Sequence, residues 1–144
     1  MNNDAIGKML HRVENQIHRK LDNIAAAQGI TVVQHIILSY LWEHGKKRDV
    51  FQKEIEQVFD VRRSSVSNVL GLLEKKNYIQ RQSVSADARQ KRICLTEDGT
   101  KVYLAVRKEM ETVERSLNGA FADEQERKLF MDMLRRLSAR VQDM

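Results

Sequence analysis

The sequence contains no proline, only six glycines and a single cysteine, Cys94, among its 144 residues. Because proline and glycine most often interrupt helices, their scarcity favours a mostly helical protein. One cysteine excludes an internal disulfide framework and a zinc site built from several cysteines. No run of 18 apolar residues occurs, so we predict no membrane span. The first residues lack a basic region followed by an apolar stretch, so we expect no secretory signal and a cytoplasmic protein.

Positive charge is concentrated in the middle of the chain. Residues 45–95 hold twelve lysines and arginines against six acidic residues, whereas the rest of the chain holds thirteen basic and fourteen acidic residues. A local excess of this kind is typical of a module that binds a polyanion such as nucleic acid. It also fits a charged surface that only keeps a protein soluble, and composition does not separate the two interpretations.

Apolar spacing and capping residues predict a series of helices interrupted by one hairpin. The predicted helices cover residues 4–27, 31–45, 51–59, 63–76, 97–117 and 123–142, and the predicted strands cover 78–82 and 92–95. The expected N-caps are Thr31, Asp49, Thr96 and Asp123, since each is a short polar residue just before an apolar pattern. The loop between the two strands is polar and basic.

This order predicts a mainly α protein of the α+β winged-helix class, in which a winged helix-turn-helix is flanked by N- and C-terminal dimerisation helices. Residues 31–96 would form the DNA-binding domain, and residues 1–30 and 97–144 would form the helical dimerisation region. The flanking helices carry more apolar surface than a winged domain of about 65 residues can cover, so we expect two chains to pair. The alternative is that these helices pack only within their own chain.

The helix predicted over residues 63–76 has an apolar face and a face of short polar side chains. The polar face presents Arg63, Ser64, Ser65, Ser67, Asn68 and Gly71. Small polar residues let a helix enter the major groove of DNA, where an asparagine can form two hydrogen bonds with adenine. An ordinary amphipathic helix with a small-residue surface would show the same pattern.

The hairpin loop adds a second candidate contact with DNA. Arg89 lies near the tip, where a guanidinium would be attracted into a narrow minor groove. Asp87 would orient Arg89 through a charge-assisted hydrogen bond. The alternative is a solvated hairpin with no partner. The full set of candidate DNA-binding residues is Arg62, Arg63, Ser64, Ser65, Ser67, Asn68, Lys75, Asp87, Arg89 and Lys91.

Four segments, residues 65–70, 73–81, 87–89 and 95–99, resemble the MarR family of bacterial winged helix-turn-helix transcription regulators. The most specific part is the Asp-x-Arg of the wing, followed by Leu-Thr-x-x-Gly. The resemblance covers about residues 5–141. It implies an obligate homodimer with intertwined first and last helices, which binds a palindromic operator in double-stranded DNA. Such regulators are usually repressors and are often released by a small ligand.

The same resemblance assigns roles to individual residues. Ser65, Ser67 and Asn68 would read the groove, and Arg89 would be the arginine of the wing. Two positions depart from the family pattern: Asn68 stands where a basic residue is frequent, and Asn77 stands where glycine is common. The first departure affects the base preference, and the second affects only the geometry of the turn.

Family analogy also places an effector pocket near His11, His35, Ser39 and Trp42, for a small-molecule ligand. We expect no cofactor and no metal site, since no histidine lies beyond residue 44 and the last two helices therefore supply none. A second hypothesis is a winged domain that serves as a protein-interaction or assembly module without sequence-specific DNA binding. An enzyme is the weakest option, because no catalytic triad, phosphate-binding glycine loop or carboxylate pair is evident.

Overall fold

The computed structural model describes residues 4–59, 63–84 and 90–144. Within these residues the elements are α1 (Ile6–Ala27), α2 (Val32–His44), α3 (Gln52–Val58), α4 (Arg63–Lys75), β1 (Ile79–Ser83), β2 (Lys91–Leu95), α5 (Glu97–Asn118) and α6 (Glu124–Gln142). The predicted mainly helical winged-helix class is confirmed. No single helix of the described part is long and apolar enough to cross a membrane; α1 and α2 meet that test only together, as a pair bent by 75°.

Side-chain caps fix the start of several helices. Thr31 Oγ1 accepts a hydrogen bond from Gln34 N at 3.1 Å, and Gln34 Oε1 accepts one from Thr31 N at 3.0 Å, which completes a capping box at α2. The side chains of Thr96 and Asp123 accept backbone hydrogen bonds at the starts of α5 and α6, at 2.9 and 2.8 Å. These three predicted caps are confirmed.

The predicted cap at Asp49 is wrong. Helix α3 begins after Phe51 and has no side-chain cap. The preceding residues are extended along β2 instead, because Ile93 N donates to Val50 O at 2.8 Å and Phe51 pairs with Arg92. This pairing brings Asp49 beside the strand, where its Oδ1 lies 3.3 Å from Arg92 Nη1.

The core explains why α4 presents one particular face to solvent. The strands β1 and β2 pair antiparallel, with Ile79 opposite Leu95. The largest fully buried side chains come from α2, α3, α4, β1, α5 and the segment before α3: Leu38, Val50, Ile55, Leu70, Leu73, Ile79 and Val106. Burial of each such aliphatic side chain contributes about 1.5–3 kcal/mol, so α4 is held by its apolar face. Its polar face is consequently turned outwards.

The turn after α4 is shaped by Asn77 and Gly99. Asn77 has a φ of 63°, in the left-handed region that asparagine tolerates better than most residues, so an asparagine fits this turn. Gly99 lies against the backbone of Tyr78, where an added Cβ would be only 2.0 Å from the Tyr78 carbonyl oxygen. The glycine of the Leu-Thr-x-x-Gly motif is therefore required by a close approach of α5 to the start of the hairpin.

The chain forms two compact units, residues 1–109 and 110–144. In the first unit, α1 buries only Ala25. In the second, α6 buries none of its residues, although the rings of Phe121 and Phe130 lie 5.1 Å apart. Each unit leaves large apolar side chains exposed: Ile6, Met9, Leu10 and Val13 on α1, and Leu129, Phe130, Met133 and Val141 on α6.

Candidate nucleic-acid interface

Helix α4 turns a face of small polar residues to solvent. Val66, Leu70 and Leu73 are buried on the inner face. The exposed residues opposite them are Ser64, Ser65, Asn68 and Gly71, and Lys75 is exposed at the last turn. The low bulk of this face suits insertion into a major groove, and the hydroxyl and amide groups can both donate and accept hydrogen bonds.

Ser67 differs from the other polar residues of α4, because it is half-buried beside α3. Its Oγ lies 2.8 Å from Nε2 of Gln52, the first residue of α3. The Oε1 atom of Gln52 is 3.4 Å from Nη1 of Arg81 on β1. Arg81 Nε also lies 3.4 Å from Oε2 of Glu74, so a carboxylate of α4 holds the guanidinium in place. These contacts fix α4 against α3 and the hairpin.

The hairpin contributes exposed positive charge at the edge of this surface. Lys91 is exposed at the start of β2, opposite Ser83. Arg92 is held at the stem, since its Nη2 donates to Gln82 Oε1 at 2.7 Å while its Nη1 faces Asp49. Between α3 and the hairpin lies an open groove of about 980 Å³ that includes Lys53, Arg81 and Lys91 in its lining. Cations around an open groove fit the approach of a polyanion.

Four of the predicted DNA contacts cannot be placed. Arg62, Asp87 and Arg89 lie outside the described residues, and so does the side chain of Arg63. The remaining six, namely Ser64, Ser65, Ser67, Asn68, Lys75 and Lys91, lie on α4 or at the loop end of the hairpin strands.

A second polar cluster holds α3 from the other side. The carboxylate of Glu54 accepts hydrogen bonds from both terminal nitrogens of Arg48, at 2.5 and 2.6 Å, and from the hydroxyl of Tyr40 on α2. The hydrogen bond from Arg48 holds the pKa of Glu54 below its usual range, whereas the hydrogen bond to Glu54 raises the pKa of Tyr40. Glu54 is therefore ionised and Tyr40 is protonated at neutral pH, and their hydrogen bond links α2 to α3.

The effector-pocket candidates are only partly brought together. His35 is buried on α2 and stacks on Tyr103 of α5, with ring centroids 5.3 Å apart. The ring of Trp42 lies 5.6 Å from that of Tyr103, and Ser39 is half-buried on the same helix. His11 is exposed on α1, where its Nε2 lies 3.1 Å from Asn15 Nδ2.

The imidazole of His35 is unusual in the described part of the chain. Its Nδ1 atom is buried and has no hydrogen-bond partner among the described residues. Burial lowers the pKa of His35 below its ordinary value, because desolvation disfavours the charged form. The ring is therefore held neutral among aromatic neighbours.

Comparison with known proteins finds one family match and several similar solved structures. The family model described as "MarR family" matches residues 28–90. The solved structure of MepR, a transcription regulator of the Staphylococcus aureus multidrug efflux pump MepA, is 26% identical, with a TM-score of 0.79 over 94% of this chain and 98% of that chain. The structure of the S. aureus MepR–DNA complex is 25% identical, with a TM-score of 0.79 over 98% and 99% of the two chains. Residues 28–90 therefore match the MarR family, and the fold of the chain is similar to that of MepR over nearly its whole length.

One curated relative is also described as a transcription regulator. The uncharacterized HTH-type transcriptional regulator YdcH of Bacillus subtilis (strain 168) is 28% identical over 121 residues, which cover 82% of this chain and 81% of that protein. The family match and the likeness to a regulator solved with DNA support a DNA-binding transcription regulator rather than an enzyme.

Two residues of this chain were missed by sequence analysis. Nothing in the sequence marks the contact of Gln52 with Ser67. Tyr103 was overlooked although a signal was present: with Gly99 and Val106 it forms an i, i+4, i+7 series, and all three are buried.

Proposed function

We propose that this MarR-family chain is a homodimeric repressor that binds a palindromic operator and is released by a small-molecule effector. The observation that carries the proposal is the outward-facing small polar surface of α4 beside a basic hairpin. Residues 31–96 form the DNA-binding domain, and residues 1–30 and 97–144 pair two chains. A cytoplasmic location is part of the proposal, since a transcription regulator meets its operator on chromosomal DNA.

The proposed contacts divide into base readers and phosphate contacts. The base readers are Ser64, Ser65, Ser67 and Asn68, which lie on α4, and Asn68 has the side chain best suited to adenine. The cations Arg62, Arg63, Lys75 and Lys91 neutralise phosphates, which gives affinity without sequence preference. Arg89 enters the minor groove from the hairpin, with Asp87 orienting its guanidinium.

Pairing of two chains is supported by the apolar residues that one chain leaves in water. Ile6 is 63% exposed and Phe130 is 40% exposed, and both lie on amphipathic helices with further exposed apolar neighbours. Covering these faces with a second copy removes them from water, which is the main driving force for association. A two-fold dimer would then set two α4 helices about 34 Å apart, one turn of B-DNA.

Release by an effector is supported by the surroundings of His35. Its buried Nδ1 without a partner, together with Tyr103 and Trp42, offers one polar group among aromatic surfaces, as ligand sites usually do. Of the other two pocket candidates, Ser39 lies on α2 with His35, whereas His11 would complete the pocket from α1.

The proposal is tested by titrating the full chain into labelled duplex DNA and measuring fluorescence anisotropy at several salt concentrations. We expect binding that weakens steeply as salt rises, because phosphate contacts release counterions. Arg89→Ala should weaken this binding and leave the dimer intact. Binding that is absent or insensitive to salt would overturn the proposal.

A further inference from the structure

The side-chain amide of Gln52 is oriented by its neighbours. Its Nε2 lies 3.1 Å from Oε1 of Glu56, and its Oε1 lies 3.4 Å from Nη1 of Arg81. An ionised carboxylate only accepts hydrogen bonds and a guanidinium only donates them, so the amide cannot be rotated by 180° without losing both contacts. The third neighbour, Ser67 Oγ, lies 2.8 Å from Nε2 and therefore accepts a hydrogen bond.

This contact determines what Ser67 can offer to a partner. A serine hydroxyl has one proton to donate and two lone pairs to accept with. Since one lone pair of Ser67 points to Gln52, the O–H bond is directed away from the amide. Ser67 lies one turn from Ser64 and one turn from Gly71, both exposed, so its hydroxyl borders the polar face of α4.

We propose that Gln52 is a positioning residue that makes Ser67 a hydrogen-bond donor to one base edge in the major groove. This inference rests on the proposed function. The edges that accept such a hydrogen bond are guanine O6 and N7, adenine N7 and thymine O4, whereas the N4 amino group of cytosine only donates. Gln52 touches no base itself, and its effect on sequence preference acts through Ser67.

Arg81 and Glu74 extend the same arrangement to the C-terminal turn of α4. Arg81 donates to Gln52 and forms an ion pair with Glu74, so the amide contacts Ser67 in the second turn of α4 and is linked through Arg81 to the last turn. The orientation of the Ser67 hydroxyl is consequently set before DNA binds. A preset donor discriminates between base edges better than a freely rotating hydroxyl, which can both donate and accept.

The test compares variants of the full chain on one selected operator and on duplexes that carry each single base-pair change. In Ser67→Ala, we expect the preference at one base pair of each half-site to fall by roughly three- to tenfold, the size expected for one neutral hydrogen bond. Gln52→Met removes the amide at similar volume and should reduce the preference at that same base pair. In the double variant, Gln52→Met should add nothing further at that position.

Gln52→Glu separates the alternatives better than Gln52→Met, because an ionised carboxylate can only accept hydrogen bonds. Ser67 must then donate inwards and present its lone pairs to DNA, so the tolerance for cytosine at that position should rise. Gln57→Met, at an exposed position of the same helix, is the matched control and should leave every preference unchanged. Thermal unfolding by circular dichroism shows whether each variant is folded.

The outcomes separate this inference from the proposed function. If the wild-type chain selects an operator but Gln52→Met and Gln52→Glu weaken all duplexes equally, Gln52 only stabilises the fold or Ser67 contacts a phosphate, and the inference is overturned. Additive effects of Ser67→Ala and Gln52→Met on the same base pair would also overturn it. If the wild-type chain selects no sequence at all, the proposed function fails and this inference fails with it.

Discussion

The imidazole of His35 stacks on the phenol ring of Tyr103, with ring centroids 5.3 Å apart and ring planes inclined by 23°. This contact joins α2 to the first turns of α5. Both residues are buried, and burial keeps the imidazole neutral. A charge placed on this ring would have to be accommodated without water and without a partner for Nδ1 among the described residues.

The free energy of unfolding should therefore fall as the pH is lowered through about 6.5, the ordinary pKa of histidine. Because the pKa of His35 is lowered in the folded chain, the unfolded chain binds a proton in this range more readily than the folded chain does. The contribution of neutral His35 to stability is fully present at a pH above the pKa that this histidine has in the unfolded chain. It is lost as the pH falls towards the lower pKa that His35 has in the folded chain. We expect His35→Gln to reduce this loss, measured by urea unfolding between pH 7.5 and about 5.

His18→Gln is the control for this experiment, because His18 is an exposed histidine on α1 that lies outside the proposed pocket. It removes one imidazole without changing the buried aromatic cluster, so the pH dependence should match that of the wild type. An unchanged pH dependence in His35→Gln would show that His35 is not held neutral by burial.

Gly99→Ala should destabilise the chain by about 1–3 kcal/mol or more, as expected when an atom is forced into a packed site. The added Cβ would lie 2.0 Å from the carbonyl oxygen of Tyr78, so α5 must move away from the hairpin. Gly71→Ala is the matched control: a Cβ there meets nothing within 4 Å, and alanine should stabilise α4 by roughly 0.5–1 kcal/mol. Urea unfolding of both variants gives the comparison, and equal effects would contradict this account of Gly99.

The sequence allowed the local features of the fold to be predicted, because they depend on residues a few positions apart. The Thr31–Gln34 capping box and the caps at Thr96 and Asp123 are of this kind. The role of Asp49 was mistaken because the pairing of the preceding segment with β2 overrides the local capping pattern.

Contacts between distant residues required the structure. Gln52 meets Ser67 fifteen residues along the chain, and their contact depends on how α3 and α4 pack rather than on any spacing. For the same reason, the sequence indicated the polar face of α4 but could not show that the Ser67 hydroxyl is engaged by an amide. The partnership of His35 with Tyr103 was likewise hidden, since a stacking contact leaves no periodic signal.

Lys91→Ala should weaken DNA binding about equally for all sequences. Lys91 is an exposed cation at the start of β2, and the loss of one phosphate contact should reduce the slope of log affinity against log salt by about 1 per subunit. Lys101→Ala removes another exposed lysine, which lies on α5 and pairs only loosely with Glu97 at 3.8 Å. The salt slope of Lys101→Ala should equal that of the wild type. If the slope of Lys91→Ala also equals that of the wild type, Lys91 is not part of the DNA interface.

Leu10→Glu should weaken dimerisation. Leu10 is 41% exposed on α1, and its burial against a second chain would place the new carboxylate in an apolar interface. The dimer dissociation constant should rise by at least roughly tenfold, because a buried unpaired charge costs more than about 1.4 kcal/mol. Asn15→Asp adds a similar charge to the polar face of α1 and should leave the constant unchanged. Sedimentation velocity over a range of concentrations measures both, and a Leu10→Glu chain that dimerises as well as the wild type would place the interface elsewhere.

Selection of binding sites from a library of random duplexes tests the central claim most directly. If two copies of this chain present paired α4 helices, the full chain should enrich one palindrome whose half-sites are centred about 10 base pairs apart. An interaction or assembly module would return no preferred sequence. Enrichment of no sequence, or of a single half-site without its inverted repeat, would contradict the account.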